Sequence, residues 1–105
     1  RVEEIARRVI SQYNCKVIFV SMGIAGAILV TKNEVYRATP PSVQRKSTVG
    51  AGDSMVAGIV FCLAKGKDLQ QSLRFGVACG TAATLNPGTE LCRKHDVDRL
   101  YPLIN

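Results

Sequence analysis

The sequence predicts an α/β domain, and three patterns in its N-terminal part carry that prediction. Residues 1–12 place apolar side chains at helical spacing, which is typical of an amphipathic helix. Residues 16–21 form a continuous apolar, β-branched run, which predicts a strand buried on both faces. Residues 27–32 and 35–40 have the pattern of two further strands, joined by a hairpin turn at residues 33–34. A helix, a buried strand and a hairpin together favour helices packed on a sheet.

The rest of the sequence predicts three more helices. Apolar residues recur at helical spacing over residues 55–63, and Gly66 is suited to end that helix. The next helix is expected to begin at Asp68 as its N-cap and to run to Leu85. Its middle consists almost entirely of small residues, which allow another backbone or a ligand to approach closely. A turn and a short closing helix over residues 96–104 complete the predicted helices.

The chain is basic, with a formal net charge of +6 and a sequence pI near 9.5. Such a charge favours anionic partners, among them nucleic acid, membrane headgroups and small phosphorylated molecules. The cations form scattered pairs such as Arg45 and Lys46, which is typical of a solvated surface, and too few residues are aromatic for a base-stacking platform. No apolar run is long enough to span a bilayer. Phosphorylated small molecules are therefore the expected partners, rather than nucleic acid or a membrane.

Four cysteines bear on the cellular compartment. Cys15, Cys62, Cys79 and Cys92 have neither C-x-x-C spacing nor a metal-like pairing with the single histidine, His95. They lie beside or within apolar stretches, as reduced core cysteines do. Cysteines of this kind predict a cytoplasmic protein.

A glycine-rich loop precedes the helix over residues 55–63. Gly50 and Gly52 flank Ala51, so successive backbone N–H groups can point to one side, where the following helix adds its positive end. This arrangement suits an anion such as phosphate. The loop is not a Walker A motif, because no Gly-Lys-Ser/Thr follows, and it lacks the third glycine of a dinucleotide fingerprint. The residues therefore predict a phosphate site of neither common type.

Asp53 follows the loop directly and admits two interpretations. As the N-cap of the helix, its carboxylate would accept a hydrogen bond from a backbone N–H of the first turn. As a general base, it would accept a proton from an attacking hydroxyl while the loop amides stabilise charge on a transferring phosphoryl group. A base next to an anion hole suits phosphoryl transfer to an alcohol. The spacing alone leaves both interpretations open.

Three stretches of the sequence carry recognisable signatures. They are "VSMGIAGAILV" at residues 20–30, "TVGAGDSMVAG" at residues 48–58 and "RFGVACGTAATLNPGTELC" at residues 74–92. In that order they resemble the strand-turn-strand, the D-T-x-G-A-G-D signature and the nucleotide-side helix with its following loop in PfkB-type carbohydrate kinases. Within that ribokinase-like family, the S-T-V-G-A-G-D-S-M and L-N-x-G-T runs are most similar to the minor bacterial 6-phosphofructokinase branch. The resemblance extends over nearly the whole chain.

The resemblance implies a fold and an activity. The fold is the ribokinase-like, Rossmann-like three-layer α/β/α domain, and residues 1–105 correspond to its C-terminal, nucleotide-binding portion. The activity is ATP-dependent phosphorylation of a hydroxyl on a phosphorylated sugar, with fructose 6-phosphate converted to fructose 1,6-bisphosphate in glycolysis. ATP and Mg²⁺ are the implied cofactors, together with K⁺. The family's sugar-binding part, lid and magnesium-organising signature have no counterpart here, so the isolated chain is expected to be inactive.

The resemblance also implies roles for individual residues. The implied catalytic base is Asp53, and the implied anion hole is formed by Gly50, Ala51 and Gly52. The implied ATP contacts are Ser21, Gly23, Gly26, Gly76, Val77, Gly80 and Thr81. The implied ligands of a monovalent cation are Ser47, Val49, Ala83, Asn86 and Gly88.

Two positions depart from the family's pattern. Ser47 stands where many members have Asp, a change common in the sugar-phosphate branch, and this favours a phosphorylated sugar as the acceptor. Glu90 occupies a site that is Arg in similar members, which puts the details of the expected cation loop in question.

Other interpretations stay open at this point. The chain is alternatively a non-catalytic nucleotide-binding module, or part of a related kinase of the tagatose-6-phosphate kinase, 1-phosphofructokinase or ribokinase type. In a purely structural interpretation, glycines such as Gly76 and Gly80 serve only to pack helices. Absent segments of a longer parent would leave apolar surface uncovered, so self-association into a homo-oligomer is expected.

Overall fold

The computed structural model describes residues 2–87 and 92–105, which form one sheet and its covering helices. The helices of this part of the chain are α1 (Val2–Tyr13), α2 (Ala51–Ala64), α3 (Leu69–Thr84) and α4 (Lys94–Leu100). The strands are β1 (Val17–Ser21), β2 (Ala27–Thr31) and β3 (Val35–Ala38). Short 3₁₀ turns cover Gly23–Ala25 and Tyr101–Leu103.

The sheet is antiparallel, with the strand order β1-β2-β3. Val17 pairs with Thr31 at one end of the first ladder, and Val30 pairs with Val35 beside the hairpin turn. The turn is held by Thr31, whose Oγ1 accepts from the backbone N–H groups of Asn33 at 3.3 Å and Glu34 at 2.9 Å. The predicted hairpin is therefore confirmed.

Helices cover both faces of β2, which is the most deeply buried strand of the sheet. Ile28 and Val30 point to one face, where they pack with Ala6 of α1. Ala27 and Leu29 point to the other face and join the main core, to which α2, α3 and α4 contribute. This alternation is the period-two pattern of a strand between two layers. The chain thus forms three layers, with α1 on one side and the other helices on the opposite side.

The strand β1 is not buried on both faces, contrary to the expectation for residues 16–21. The side chain of Val17 is 41% exposed, and the three central residues of β1 are half-buried. Within the described residues, β1 is an edge strand that pairs only with β2. The covering helix α1 leaves Ile5, part of its own apolar stripe, 50% exposed. The buried strand is β2, because it alone has a neighbour on each side and a helix over each face.

The ends of α2 and α3 follow the predicted signals. Gly66 has a φ of 78° directly after the C-cap of α2, a left-handed conformation that glycine adopts without strain. Asp68 caps α3, since its Oδ1 accepts from the N–H of Gln71 at 2.7 Å while the Gln71 side chain accepts from the N–H of Asp68. This reciprocal pair is a capping box, which satisfies two otherwise unpaired donors.

Glycines bring α2 and α3 into close contact. A Cβ at Gly58 would lie 2.8 Å from Sγ of Cys79, and one at Gly76 would meet the side chain of Ile59 and lie 2.9 Å from the carbonyl oxygen of Met55. Real Cβ atoms do not approach so closely, so larger side chains at these positions would push the helices apart. The small residues in the middle of α3 therefore set the distance to α2.

The last residues of the chain return to the sheet. Thr39, just after β3, and Asn105 exchange two backbone N–H···O bonds of 2.8 and 2.9 Å. Arg74 of α3 donates to the carbonyl oxygen of Ile104 at 3.3 Å, and its guanidinium lies 4.8 Å from the ring centre of Tyr101. No described helix has the length and apolar character needed to cross a membrane.

Candidate functional site

The glycine-rich loop ends where α2 begins, at Ala51. Gly50 is the N-cap, with a φ of 82° that favours glycine, and its carbonyl oxygen accepts from the N–H of Ser54 at 3.0 Å. The backbone N–H groups of Gly52 and Asp53 have no partner among the described residues. Unpaired N–H groups in the first turn, at the positive end of the helix, are suited to bind an anion. The N–H of Ala51, in contrast, donates to the carbonyl oxygen of Thr48 at 3.3 Å, so the free donors of this turn coincide only in part with the predicted anion hole of Gly50, Ala51 and Gly52.

A cleft of about 220 Å³ brings predicted residues from three separate stretches together. Those that line it are Ser21, Gly23, Ala51, Gly52, Val77, Gly80 and Thr81. They come from the end of β1 with the turn after it, the first turn of α2 and the C-terminal half of α3. The strand-turn-strand, the glycine loop and the small-residue helix thus form one concave surface.

The lining of the cleft is largely apolar. Ile24, Pro40, Met55 and Val77 supply apolar surface. Thr81 also lines the cleft, but its hydroxyl donates to the carbonyl oxygen of Val77 at 2.8 Å within α3. Apolar surface with a few polar groups is the usual composition of a small-molecule site.

Three predicted glycines do not line the cleft. Gly26 has a φ of 97°, and a Cβ there would collide with the carbonyl oxygen of Ala38, so this glycine allows the turn after β1 to approach β3. Gly76 packs against α2, and Gly50 forms the helix cap. Gly80 lines the cleft and also packs against α2, since a Cβ there would lie 3.1 Å from the carbonyl oxygen of Ala51.

Asp53 is not the N-cap of α2, so that interpretation is wrong. Gly50 occupies the cap, and Asp53 is the third residue of the helix with no side-chain cap bond. The carboxylate is exposed and has no hydrogen bond or ion pair with another described residue. A backbone that turns through a left-handed glycine begins the helix too early for Asp53 to cap it. The carboxylate is left free for chemistry.

Asp53 also lies on a different side of α2 from the cleft. It borders a second cavity of about 800 Å³ between α2, α3 and α4, which Phe61, Phe75 and Cys79 also line. Burial, with a smaller contribution from the neighbouring Cys92, raises the pKa of the Cys79 thiol to about 12. Cys79 is therefore a neutral core thiol, while Asp53 and Asp98 are the carboxylates among the described residues that line this cavity.

The predicted cation ligands that the structure describes belong to the end of α3 and to the segment bonded to it. The backbone N–H groups of Lys46 and Ser47 donate to the carbonyl oxygen of Thr84 at 2.7 and 3.3 Å, which fastens this segment to the helix end. The N–H of Val49 donates to Oγ of Ser47 at 3.2 Å, and the N–H of Asn86 donates to the carbonyl oxygen of Ala83 at 3.3 Å. Asn86 is buried.

Oxygen atoms at the negative end of a helix suit a hard monovalent cation. The described residues of this set supply hydroxyl, carbonyl and amide oxygens of the kind that K⁺ accepts. Gly88 and Glu90, which the sequence also assigned to this loop, lie outside the described residues.

The structure adds residues to the cleft that the sequence did not single out. They are Ile24, Pro40, Arg45, Thr48, Met55 and Thr84. Arg45 is the most informative, because it was assigned to a solvated basic pair and is instead half-buried in the cleft wall. The sequence did contain a signal for this position, since Arg45 lies two residues before Ser47 in the segment that leads into the anion loop. Among the described residues, no group of three or more His, Cys, Asp or Glu could hold a metal ion.

The chain is similar to known proteins over most of its length. Residues 1–96 match the pfkB family of carbohydrate kinases. The chain is 40% identical over 104 residues to ATP-dependent 6-phosphofructokinase isozyme 2 of Escherichia coli strain K12, which covers 99% of the chain and 34% of that protein. It is 44% identical over 84 residues to a 1-phosphofructokinase of Borreliella burgdorferi, covering 79% of the chain and 27% of that protein.

Solved structures give the same result. The crystal structure of phosphofructokinase-2 from Escherichia coli in complex with potassium superimposes with a TM-score of 0.92 at 41% identity. That match covers 97% of this chain and 33% of the other. The chain thus spans about a third of the length of these proteins, and their ribokinase-like architecture confirms the predicted fold class. The chain belongs to the pfkB family of carbohydrate kinases.

Proposed function

We propose that the chain is the C-terminal, nucleotide-binding portion of an ATP-dependent sugar-phosphate kinase. The observation that carries this proposal is the cleft in which the first turn of α2, the turn after β1 and the C-terminal half of α3 meet. Fructose 6-phosphate is the acceptor we favour, because a relative matched over 99% of the chain is a 6-phosphofructokinase. The match to a 1-phosphofructokinase makes fructose 1-phosphate the alternative within the same substrate class.

The chemistry proposed for the chain is an in-line phosphoryl transfer. The acceptor hydroxyl oxygen attacks the γ-phosphorus, the bond to the β–γ bridging oxygen breaks, ADP leaves with that oxygen, and the hydroxyl proton passes to Asp53. The free N–H groups of Gly52 and Asp53 would stabilise the charge on the transferring group. Bound Mg²⁺ would neutralise charge on the β- and γ-phosphates, and Ser47, Val49, Ala83 and Asn86 would hold K⁺.

The two sides of α2 are suited to different substrates. Ala51 and Gly52 line the cleft, whereas Asp53 faces away from it. A donor nucleotide in the cleft and an acceptor on the opposite side would place the anion hole between the two substrates. Since positioning dominates phosphoryl transfer, a chain that spans a third of its relatives is expected to bind nucleotide without turning over sugar.

Self-association and a cytoplasmic location belong to the same proposal. Val56, Val60 and Leu63 form an apolar stripe along α2, and their side chains are 50%, 58% and 44% exposed. Such a surface favours a homo-oligomer, and a purely monomeric profile in sedimentation velocity would contradict it. The four free cysteines agree with a reducing compartment.

Calorimetric titration with MgATP tests the nucleotide part of the proposal. We expect saturable binding that is enhanced by K⁺ and weakened at least about tenfold in Gly52→Val, because the side chain would block the amides of the first turn. Ala64→Val is the matched control, since Ala64 is exposed at the other end of α2. A chain that circular dichroism shows to be folded, but that binds no MgATP with or without K⁺, would contradict the proposal.

A further inference from the structure

Arg45 is the one charged residue that lines the cleft in the described part of the chain. The other lining residues are uncharged, and no carboxylate is among them. Arg45 is half-buried, and its guanidinium makes no hydrogen bond or ion pair with another described residue. The described part of the chain therefore gives this cleft a positive charge that none of its lining residues neutralises.

The backbone holds Arg45 in this position. The next two residues, Lys46 and Ser47, donate their N–H groups to the carbonyl oxygen of Thr84, so the segment is fixed against the end of α3. Thr84 also lines the cleft. Lys46 itself is exposed and does not line the cleft, although it is adjacent in sequence and carries the same charge. Anchoring the segment therefore places one cation of the pair in the cleft and the other in solvent.

An unpaired guanidinium that is partly removed from water loses hydration, and an anion restores that loss. The carboxylate of Asp53 cannot serve, because it faces the cavity on the other side of α2. The first turn of α2 lines the same cleft and contributes partial positive charge as well. The group that balances both is an anion that enters with the ligand, and a planar guanidinium binds phosphate oxygens in pairs.

We propose that Arg45 binds the phosphate groups of the nucleotide and makes the cleft select nucleotides by their number of phosphates. This inference rests on the proposed function, because it assumes a nucleotide in the cleft. The apolar wall formed by Ile24, Pro40 and Met55 then takes the uncharged base and contributes equally to every nucleotide. Discrimination among ATP, ADP and AMP depends on Arg45 together with the amides of the glycine loop.

Titrations with ATP, ADP, AMP and adenosine test this role, using the polypeptide that contains this chain. In Arg45→Gln we expect the affinity for ATP to fall about tenfold to a hundredfold, which corresponds to loss of a charge-assisted hydrogen bond, while the affinity for adenosine stays unchanged. Lys46→Gln removes the same charge one residue away and should leave all four affinities near those of the unsubstituted polypeptide. Arg45→Lys keeps the charge without the paired geometry and should recover part of the preference for ATP.

The outcomes separate this inference from the proposed function. If the parent protein binds ATP, but Arg45→Gln and Lys46→Gln behave alike, the role of Arg45 is overturned while the nucleotide cleft stands. An equal loss for adenosine and ATP in Arg45→Gln would also overturn it, since the side chain would then act on the nucleoside. A folded parent protein that binds none of the four compounds overturns both. Circular dichroism of each variant shows whether it folds, and Arg45→Lys provides the same test should Arg45→Gln not fold.

Discussion

Two groups of glycines lie within a few turns of each other and have opposite surroundings. A Cβ at Gly50 or Gly52, in the loop and first turn of α2, would meet no other atom within 4 Å. A Cβ at Gly58, Gly76 or Gly80, where α2 faces α3, would meet the partner helix at or below 3.1 Å. In the first group, the missing side chain leaves room beside the backbone for a ligand. In the second group, it allows the two helices to come into contact. A substitution at Gly52 should therefore affect binding and catalysis, whereas one at Gly50 would also strain its left-handed backbone, and substitutions in the helix pair should affect stability.

The largest effect is expected at the carboxylate beside the open glycines. Asp53→Asn removes the proposed base and should lower kcat of the polypeptide that contains this chain by about 10²- to 10⁴-fold, the usual contribution of a general base. The exposed Asp53 side chain has no partner among the described residues, so the free energy of unfolding should change little. A coupled assay of ADP release with fructose 6-phosphate, run beside urea denaturation, measures both quantities. Comparable turnover in the variant would contradict the role of Asp53.

A substitution at one of the glycines between α2 and α3 should instead lower the free energy of unfolding. Gly76→Val would place its side chain against Ile59 and the backbone of Met55, and we expect it to lower the free energy of unfolding by about 3 kcal/mol or more. Urea denaturation followed by circular dichroism measures this loss. Ala64→Val, exposed near the end of α2, is the control and should change stability by less than about 0.5 kcal/mol. Equal stability of Gly76→Val and the control would contradict the role of the second group of glycines in helix packing.

The packed region should also show a pH dependence of its own. Burial raises the pKa of Cys79 from 9.0 to about 12 in the folded protein, so between these values the unfolded chain loses the thiol proton and the folded chain keeps it. The stabilisation from this group is therefore complete below about pH 9 and declines by about 1.4 kcal/mol per pH unit above it. Denaturation of the parent protein and of Cys79→Ala at pH 8 and pH 10 isolates the contribution, since both chains share every lysine and tyrosine. An identical pH slope in the two proteins would count against it.

The smallest change in stability is expected at Gly52. Gly52→Ala adds a methyl group where no atom lies within 4 Å, and alanine favours the helix, so stability should rise by no more than about 1 kcal/mol. Affinity for MgATP should nevertheless fall, because the methyl group borders the free amides. Thermal denaturation and calorimetry on the same sample separate these two effects. A destabilised variant would show that the loop is packed after all.

Local signals accounted for most of the elements that the sequence predicted correctly. The Asp68 cap, the left-handed Gly66 and the turn at residues 33–34 each depend on neighbours a few residues apart, and all three are present. The family signature predicted residues that line the cleft, including Gly52 and Thr81.

Features that depend on distant contacts were not accessible from the sequence. The exposure of β1 depends on what pairs with its outer edge, and its composition alone indicated burial. The place of Arg45 depends on the bond from the following residues to Thr84, far along the chain. The sequence offered Asp53 as the N-cap of α2, and only the left-handed φ of Gly50 shows that the cap lies at Gly50 instead.

The double role of Gly80 limits which residues of this cleft can be substituted during evolution. Gly80 lines the cleft, and a Cβ at this position would lie 3.1 Å from the carbonyl oxygen of Ala51. A larger residue there would therefore change the space available to the ligand and would also separate α2 from α3. Ile24 has no such constraint, since it sits on a turn with its side chain 70% exposed. Lineages that acquire a different nucleotide preference should therefore vary at Ile24 while position 80 stays small, and a directed-evolution library would find its useful diversity in the turn rather than in the helix.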